Sequence, residues 1–177
     1  MLLLAALTAC GRETKTQEKE SQTQQEVRSD NPEENMESGS DGQEKESAFD
    51  QETWAAAEAE KRTAVSFVKM NESYLEGVMQ IDLTKVSKNA VYVDASGSTI
   101  DEFGIFQAID GDTAAVQKMV QEYLDGRLAA WMEEYMPEEK PKVQKASLQV
   151  KEGYVLYAIL GEKDKEQLFE SFEKAVS

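Results

Sequence analysis

The sequence predicts an α+β fold in residues 51–177, with an antiparallel sheet of about four strands and helices packed on one face. Three observations favour this class. Four short segments rich in β-branched and aromatic residues occur as two pairs, each joined by a turn. Segments with apolar residues at helical spacing flank and separate those pairs. Because the connections are short, we expect neighbouring strands to pair antiparallel.

The first predicted element is a helix. Thr53 can cap its start, and residues 54–62 are rich in the helix formers Ala, Glu and Lys. Apolar residues continue to Val68, so the sequence does not fix where this helix ends. Tyr74 begins a segment that indicates a further turn or two of helix, and Asp82 can cap another short helical piece.

A hairpin is predicted next. Its strands cover about residues 90–94 and 102–109, and the turn-forming residues 95–98 separate them. In the second strand Phe103 and Phe106 point to opposite sides. Both faces of that strand are therefore expected to be at least partly covered.

The clearest helical pattern covers about residues 113–135, before Pro137. Its apolar stripe follows steps of three and four and contains Val116, Met119, Val120, Tyr123, Leu124, Arg127, Leu128, Trp131 and Tyr135. A second hairpin follows, with strands at about residues 146–151 and 154–160 that are joined by a turn at Glu152-Gly153. A helix from about Asp164 closes the chain, so a strand-strand-helix unit occurs twice.

The N-terminus resembles a lipoprotein signal, predicted to cover residues 1–10. A short apolar run ends in Leu7-Thr8-Ala9-Cys10. In such a signal the small residues fit the signal peptidase, and the cysteine thiol receives a diacylglyceryl group with acyl chains such as palmitate. We therefore predict a lipid anchor at Cys10, on the extracytoplasmic face of the cell membrane. The apolar run is shorter than a usual signal core of about 7 to 15 residues, which a truncated start would explain.

Residues 11–50 are predicted to form a disordered acidic linker. They contain 12 acidic and five basic residues and almost no large apolar side chains. Such a segment cannot bury enough apolar surface to offset the entropy of ordering. We therefore expect it to act as a spacer between the membrane and the single folded domain.

Composition excludes several kinds of chemistry. The chain has no histidine and one cysteine. The usual ligand sets for zinc, copper or haem are therefore missing, and no intramolecular disulfide can form. We predict no cofactor and no metal site. The formal net charge of −16 opposes binding to nucleic acid, whose phosphate backbone is also negative.

Two stretches resemble a known family. The first reads DEFGIFQAID at residues 101–110, and the second reads YMPEEKPKV at residues 135–143, followed by EGYVLY at residues 152–157. They resemble the small lipoproteins of Gram-positive bacteria gathered as domain of unknown function family 4358. The resemblance covers about residues 74–160 and implies the same order of lipobox, polar linker and domain. It implies no catalytic residue, because the family has no assigned activity.

The turn of the first hairpin shares polar spacing with a calcium loop at Asp94, Ser96, Ser98 and Asp101. An EF-hand also needs glycine at its sixth position and glutamate at its twelfth, where this chain has Thr99 and Ile105. Neither serine has an elbow motif around it that would indicate a nucleophile. We interpret these residues as a turn, and Asp110 and Asp112 as a turn residue and a helix cap.

Four acidic residues follow the long helix: Glu133, Glu134, Glu138 and Glu139. Two of them could serve as acid and base in glycan cleavage, given suitable spacing and one raised pKa. Solvated surface carboxylates are the simpler interpretation. We therefore assign no catalytic residue.

Three tyrosines could form a docking surface. Tyr154 and Tyr157 lie on a strand whose partner has a polar side, and Tyr92 lies on the first hairpin. An exposed aromatic patch on a sheet suits a peptide, glycan or protein partner. Core packing is the default interpretation of these side chains.

Taken together, these patterns predict a membrane-anchored binding or scaffolding module of the cell envelope that is not an enzyme. Its expected partners are the membrane and another envelope protein or glycan. The alternative is a carboxylate-dependent hydrolase or an accessory to envelope polymer modification. A solute-capture lipoprotein is less favoured, because closure between two lobes generally needs more chain.

Overall fold

Five strands form one antiparallel sheet in the computed structural model, which describes residues 49–176. The strands are β1 (Phe67–Lys69), β2 (Val86–Asp94), β3 (Glu102–Ala108), β4 (Ser147–Lys151) and β5 (Tyr154–Ile159). Their order in the sheet is β1-β2-β3-β5-β4, and every neighbouring pair is antiparallel. The predicted α+β class and both predicted hairpins are confirmed, with five strands in place of about four.

The additional strand is β1, at one edge of the sheet. Phe67 pairs with Asp94 and Lys69 pairs with Tyr92 on β2. The sequence pattern left these residues as the uncertain continuation of the first helix. A three-residue strand is too short to show the two-residue alternation that distinguishes a strand from a helix.

Five helices accompany the sheet: α1 (Gln51–Lys61), α2 (Glu72–Gly77), α3 (Thr113–Ala129), α4 (Lys140–Gln144) and α5 (Glu162–Ala175). The predicted cap at Thr53 is wrong, because the Asp50 carboxylate accepts the backbone N–H groups of Glu52 and Thr53. Asp112 caps α3 and Asp82 caps a short 3₁₀ turn, as predicted. The α3 helix ends at Ala129, six residues before the predicted end at Tyr135.

Helices cover both faces of the sheet, so the predicted packing on one face is wrong. Successive side chains of β5 alternate between two separate apolar clusters. Tyr157 faces the cluster that contains buried side chains of α2, α3 and α4, whereas Leu156 faces the cluster that contains α1 and α5. Every residue of β5 is buried, as a strand covered on both sides requires.

Ordered packing begins before the predicted domain start at residue 51. The Phe49 ring lies 5.1 Å from the Tyr154 ring and 5.8 Å from the Trp54 ring, measured between centroids. The predicted signal and nearly all of the predicted linker lie outside the described residues. Within residues 49–176, no helix has the length and apolar character needed to cross a bilayer.

Candidate functional site

A buried carboxylate lies where β3 begins. The Glu102 side chain is completely inaccessible to solvent. The hydroxyl groups of Tyr157 and Tyr123 donate hydrogen bonds to its Oε1 atom, at 2.6 and 2.7 Å. The Tyr74 hydroxyl lies 3.5 Å from Oε2, and the Arg127 Nη1 atom lies 3.9 Å from the same oxygen. We call these five residues the Glu102 cluster.

Gly104 makes room for the closest of these contacts. It lies opposite Tyr157 in the pairing of β3 with β5. A Cβ atom at position 104 would lie 2.6 Å from Cε1 of the Tyr157 ring and 2.7 Å from Cγ2 of Val91. Since real Cβ atoms do not approach other atoms so closely, glycine allows the tyrosine ring to cross β3 and reach Glu102.

Burial dominates the electrostatics of the Glu102 cluster. Removal from water raises the pKa of Glu102, although the Arg127 charge and the tyrosine hydroxyls act in the opposite direction. Burial and the neighbouring Glu102 charge also raise the pKa values of Tyr157 and Tyr123. Both tyrosines therefore remain protonated donors. Because Glu102 is closed off from solvent, the cluster is suited to fixing Arg127 in place and not to reacting with a substrate.

An open cleft of about 720 Å³ lies beside the Glu102 cluster, and we call it the α3 cleft. One wall is a row at intervals of four residues, which runs along α3 and the segment after it: Tyr123, Arg127, Trp131 and Tyr135. The opposite wall comes from the segment after α2 and from the β2–β3 hairpin, including Val78 and Ile100. Pockets of roughly 300–1,000 Å³ with mostly apolar linings are typical of small-molecule sites.

The rim of the α3 cleft exposes large apolar side chains. Relative exposure is 65% for Met132, 54% for Val78 and 51% for Tyr135. The rings of Trp131 and Tyr135 pack against each other, with centroids 6.0 Å apart. Exposed apolar groups gathered at a concave surface are typical of a binding site, because scattered ones would not converge on one cavity.

A second polar cluster holds the rim segment in place. The Lys142 Nζ atom lies 2.6 Å from Asp101 Oδ1 and 2.8 Å from Glu139 Oε2. Glu139 Oε2 also accepts the backbone N–H of Ile100 at 3.1 Å. Burial raises the pKa of Asp101, against the opposing effect of Lys142. These bonds join the segment after α3 to the β2–β3 hairpin and so connect the two walls of the cleft.

Comparison with known proteins gives one match. The family described as Domain of unknown function (DUF4358) matches residues 60–160, which is more than half of the 177-residue chain. The chain belongs to the DUF4358 family. No curated protein and no solved structure matches the chain. The DUF4358 region contains the whole Glu102 cluster and every residue that lines the α3 cleft, whereas α5 lies outside it.

The predicted aromatic docking surface does not form in the DUF4358 region. Tyr154 and Tyr157 are 2% and 0% exposed, and they belong to the apolar clusters on opposite faces of the sheet. Tyr92 is partly buried and stacks on Phe103, with ring centroids 5.4 Å apart. The prediction is wrong because helices cover both faces of the sheet. Tyr157 contributes instead to the Glu102 cluster.

The predicted turn residues of the β2–β3 hairpin bond to one another. The Asp94 carboxylate accepts the backbone N–H and hydroxyl groups of both Ser96 and Thr99. Burial raises the pKa of Asp94, but these hydrogen bonds outweigh it and lower the value to about 2. The Ser98 hydroxyl lies 2.6 Å from the Ser96 hydroxyl. The Asp94 carboxylate is therefore hydrogen bonded to residues of its own loop.

The four predicted glutamates do not converge on one site. Glu133 forms an ion pair with Lys140, and Glu139 forms one with Lys142. Glu134 and Glu138 are exposed. Among residues 49–176, no group of three or more His, Cys, Asp or Glu side chains is placed to hold a metal ion. Leu7, Thr8, Ala9 and Cys10 lie outside the described residues.

Sequence reasoning missed the two parts of the site that matter most. Glu102 was visible only as the second residue of a family motif, and nothing local to it predicts burial. Arg127 gave a clearer signal, because it is the one charged residue in the predicted apolar stripe of α3. A cation in such a stripe indicates either a buried partner or a ligand, and here it lies next to Glu102 at the cleft.

Proposed function

We propose that this chain is a lipid-anchored module of the cell envelope that binds another envelope component in the α3 cleft and does not catalyse a reaction. Cys10 carries the anchor, and the DUF4358 region carries the binding surface. The cleft supports this proposal most directly, because exposed Met132, Val78 and Tyr135 surround a cavity of ligand size. The expected partner is a protein or glycan of the envelope and not a nucleic acid, given the net charge of −16.

The buried carboxylates argue against the alternative of a carboxylate-dependent hydrolase. A glycosidase needs one carboxyl group with a raised pKa that can reach the substrate. Asp101 and Glu102 have raised pKa values, but they are 6% and 0% exposed and hydrogen bonded to Lys142 and to tyrosines. An accessory role in envelope polymer modification remains compatible with binding.

Replacing the proposed anchor tests the location. Cys10→Ala, expressed in the native host with the full upstream reading frame, removes the thiol that would be acylated. We expect the protein to leave the membrane fraction, because the acyl chains that would hold it there can no longer be attached. Fractionation followed by immunoblotting gives the result. Retention of the variant in the membrane, or a wild-type protein in the cytosol, contradicts the proposed anchor.

Site-specific photocrosslinking in intact host cells tests binding in the cleft. A photoreactive residue replaces Met132 on the cleft rim, and a matched variant carries it at Glu60, which is exposed on α1 at the other face of the sheet. We expect a discrete crosslinked species from position 132 and none from position 60. Mass spectrometry of the crosslinked species identifies the partner.

Two results would contradict the proposed binding function. Equal crosslinking from both positions would indicate nonspecific contact with neighbours. A purified domain that hydrolyses envelope glycans, with no crosslinked species from position 132, would favour the enzyme.

A further inference from the structure

Arg127 is a cation on the wall of the α3 cleft, and no residue in the described part of the chain uses all of its donors. Among the described residues that line the cleft, it is the only lysine or arginine. Its side chain is 30% exposed, and its ion-pair partner Glu102 lies 3.9 Å away, beyond hydrogen-bond distance. The guanidinium packs 5.9 Å from the centre of the Tyr123 ring. It therefore has N–H groups available for an acceptor that enters the cleft.

Trp131 supplies a second donor on the same wall. Its indole Nε1 atom is buried, and no hydrogen-bond acceptor reaches it among the described residues. A buried donor without a partner costs about 1–3 kcal/mol, so such groups are uncommon. The indole lines the cleft four residues after Arg127. The Trp131 indole is therefore a donor of the cleft wall to which a bound ligand could supply the acceptor.

The cleft is also lined by two carboxylates, Asp94 and Glu122. Neither of them offsets the preference of Arg127 and Trp131 for a ligand that accepts hydrogen bonds. Asp94 is occupied by hydrogen bonds from Ser96 and Thr99 of its own loop. Glu122 is 65% exposed, and its Oε1 atom lies 3.6 Å from Lys118 Nζ. The remaining lining is largely apolar and includes three methionines: Met79, Met119 and Met132. Methionine side chains adapt to irregular apolar ligands because they are unbranched and flexible.

From these features we infer that the α3 cleft binds a small amphiphilic anion, with its carboxylate held by Arg127 and the Trp131 indole and its alkyl chain along the methionines. A carboxylate matches the planar donors of arginine, and a cavity of about 720 Å³ has the size for such a ligand. This inference rests on the proposed binding function and specifies its ligand chemistry.

Nuclear magnetic resonance on the full chain, produced with Cys10→Ala, tests the inference with octanoate as the probe. The chain has two tryptophans. The Trp54 indole donates to Ser171 Oγ at 3.2 Å on the other face of the sheet, so its N–H signal is an internal control. We expect octanoate to shift the Trp131 indole N–H signal saturably and to leave the Trp54 signal in place. Octanol and octylammonium test the contribution of the negative charge.

Variants at the two donors separate the charge from the apolar lining. Arg127→Met should weaken octanoate binding by at least about tenfold, since a hydrogen bond to a charged group is lost, and should leave octanol binding unchanged. Arg127→Lys keeps the positive charge but loses the planar pair of donors, so it should weaken octanoate binding less than Arg127→Met does. If Arg127→Met fails to fold, Trp131→Phe removes the second donor alone and should weaken octanoate binding several-fold.

Three results would overturn the inference. Octanoate and octanol could bind equally, octylammonium could bind more tightly, or the Trp131 signal could change with protein concentration alone, which would indicate a second copy of the chain in the cleft. The first two results do not affect the photocrosslinking test from position 132, and a second copy in the cleft would appear in that test as a crosslinked dimer. A crosslinked partner without octanoate binding would therefore contradict the ligand chemistry and leave the binding function standing.

Discussion

Glu102→Ala is expected to lower the free energy of unfolding by about 3–5 kcal/mol. The substitution removes the acceptor for the Tyr157 and Tyr123 hydroxyls and the counterion of Arg127. It also leaves a cavity where the carboxylate was completely buried. Such a loss is expected because the two tyrosine hydroxyls stay buried without an acceptor and because a cavity remains where the side chain was. Urea denaturation at neutral pH, followed by circular dichroism, measures the change.

Glu102→Gln is the matched control, because it keeps the shape and an acceptor oxygen. We expect it to stay within about 1.5 kcal/mol of the wild type, because the tyrosine hydroxyls keep an acceptor oxygen. The wild type and Glu102→Gln should also differ in how the free energy of unfolding depends on pH. Because burial raises the folded-state pKa of Glu102 above its ordinary value of 4.5, its protonated form favours folding. That stability is fully present below about pH 4.5 and is lost as the pH rises through the folded-state pKa.

The wild type should therefore lose stability relative to Glu102→Gln when denaturation is repeated at increasing pH from 4 to 8. A difference between the two proteins that stays constant over this range, or grows in favour of the wild type, would contradict the assignment. A Glu102→Ala variant as stable as the wild type would show that the cluster is not closed in solution.

Gly104→Ala is expected to destabilise the protein by about 3 kcal/mol. The new methyl group would lie 2.6 Å from the Tyr157 ring and 2.7 Å from Val91. The backbone cannot move aside easily, since β3 is paired with β2 on one side and β5 on the other. We also expect the Tyr157 ring to move away from Glu102, which a shift of the Tyr157 ring resonances would report.

Gly126→Ala provides the control with the same chemical change. No atom lies within 4 Å of a Cβ placed at Gly126, which is in the α3 helix. Alanine favours a helix over glycine by about 1 kcal/mol, so this variant should be more stable than the wild type. Equal effects at positions 104 and 126 would mean that the close approach at Gly104 does not exist.

Much of the fold follows from local patterns in the sequence. The β4–β5 hairpin was predicted from Glu152-Gly153, and both residues have the positive φ angles, 47° and 82°, that such a tight turn uses. The predicted end of α3 was wrong for a physical reason. Trp131 and Tyr135 continue the helical spacing, yet they line the cleft from the segment after the helix. The regular spacing of these apolar residues was interpreted as one continuous helix, although the helix ends at Ala129.

The site could be predicted only in part, because it depends on contacts between distant elements. The Glu102 cluster consists of side chains from α2, β3, α3 and β5. The spacing of residues within any one of these elements does not predict that the four elements bring these side chains into contact. The possible docking surface of Tyr92, Tyr154 and Tyr157 depended on one open face of the sheet. Because helices cover both faces, Tyr154 and Tyr157 are buried. We therefore propose the α3 cleft, and not a sheet face, as the binding surface.

Filling the α3 cleft with a side chain shows whether the partner binds there. Gly126 lines the cleft and has open space around it, so Gly126→Phe should place a ring inside without disturbing the fold. Gly126→Ala leaves the cleft nearly empty. The measurement is the yield of photocrosslinked partner from position 132 in each background. With both proteins folded, the yield should be normal with alanine and lost with phenylalanine. An undiminished yield with phenylalanine would mean that the partner does not bind in the cleft.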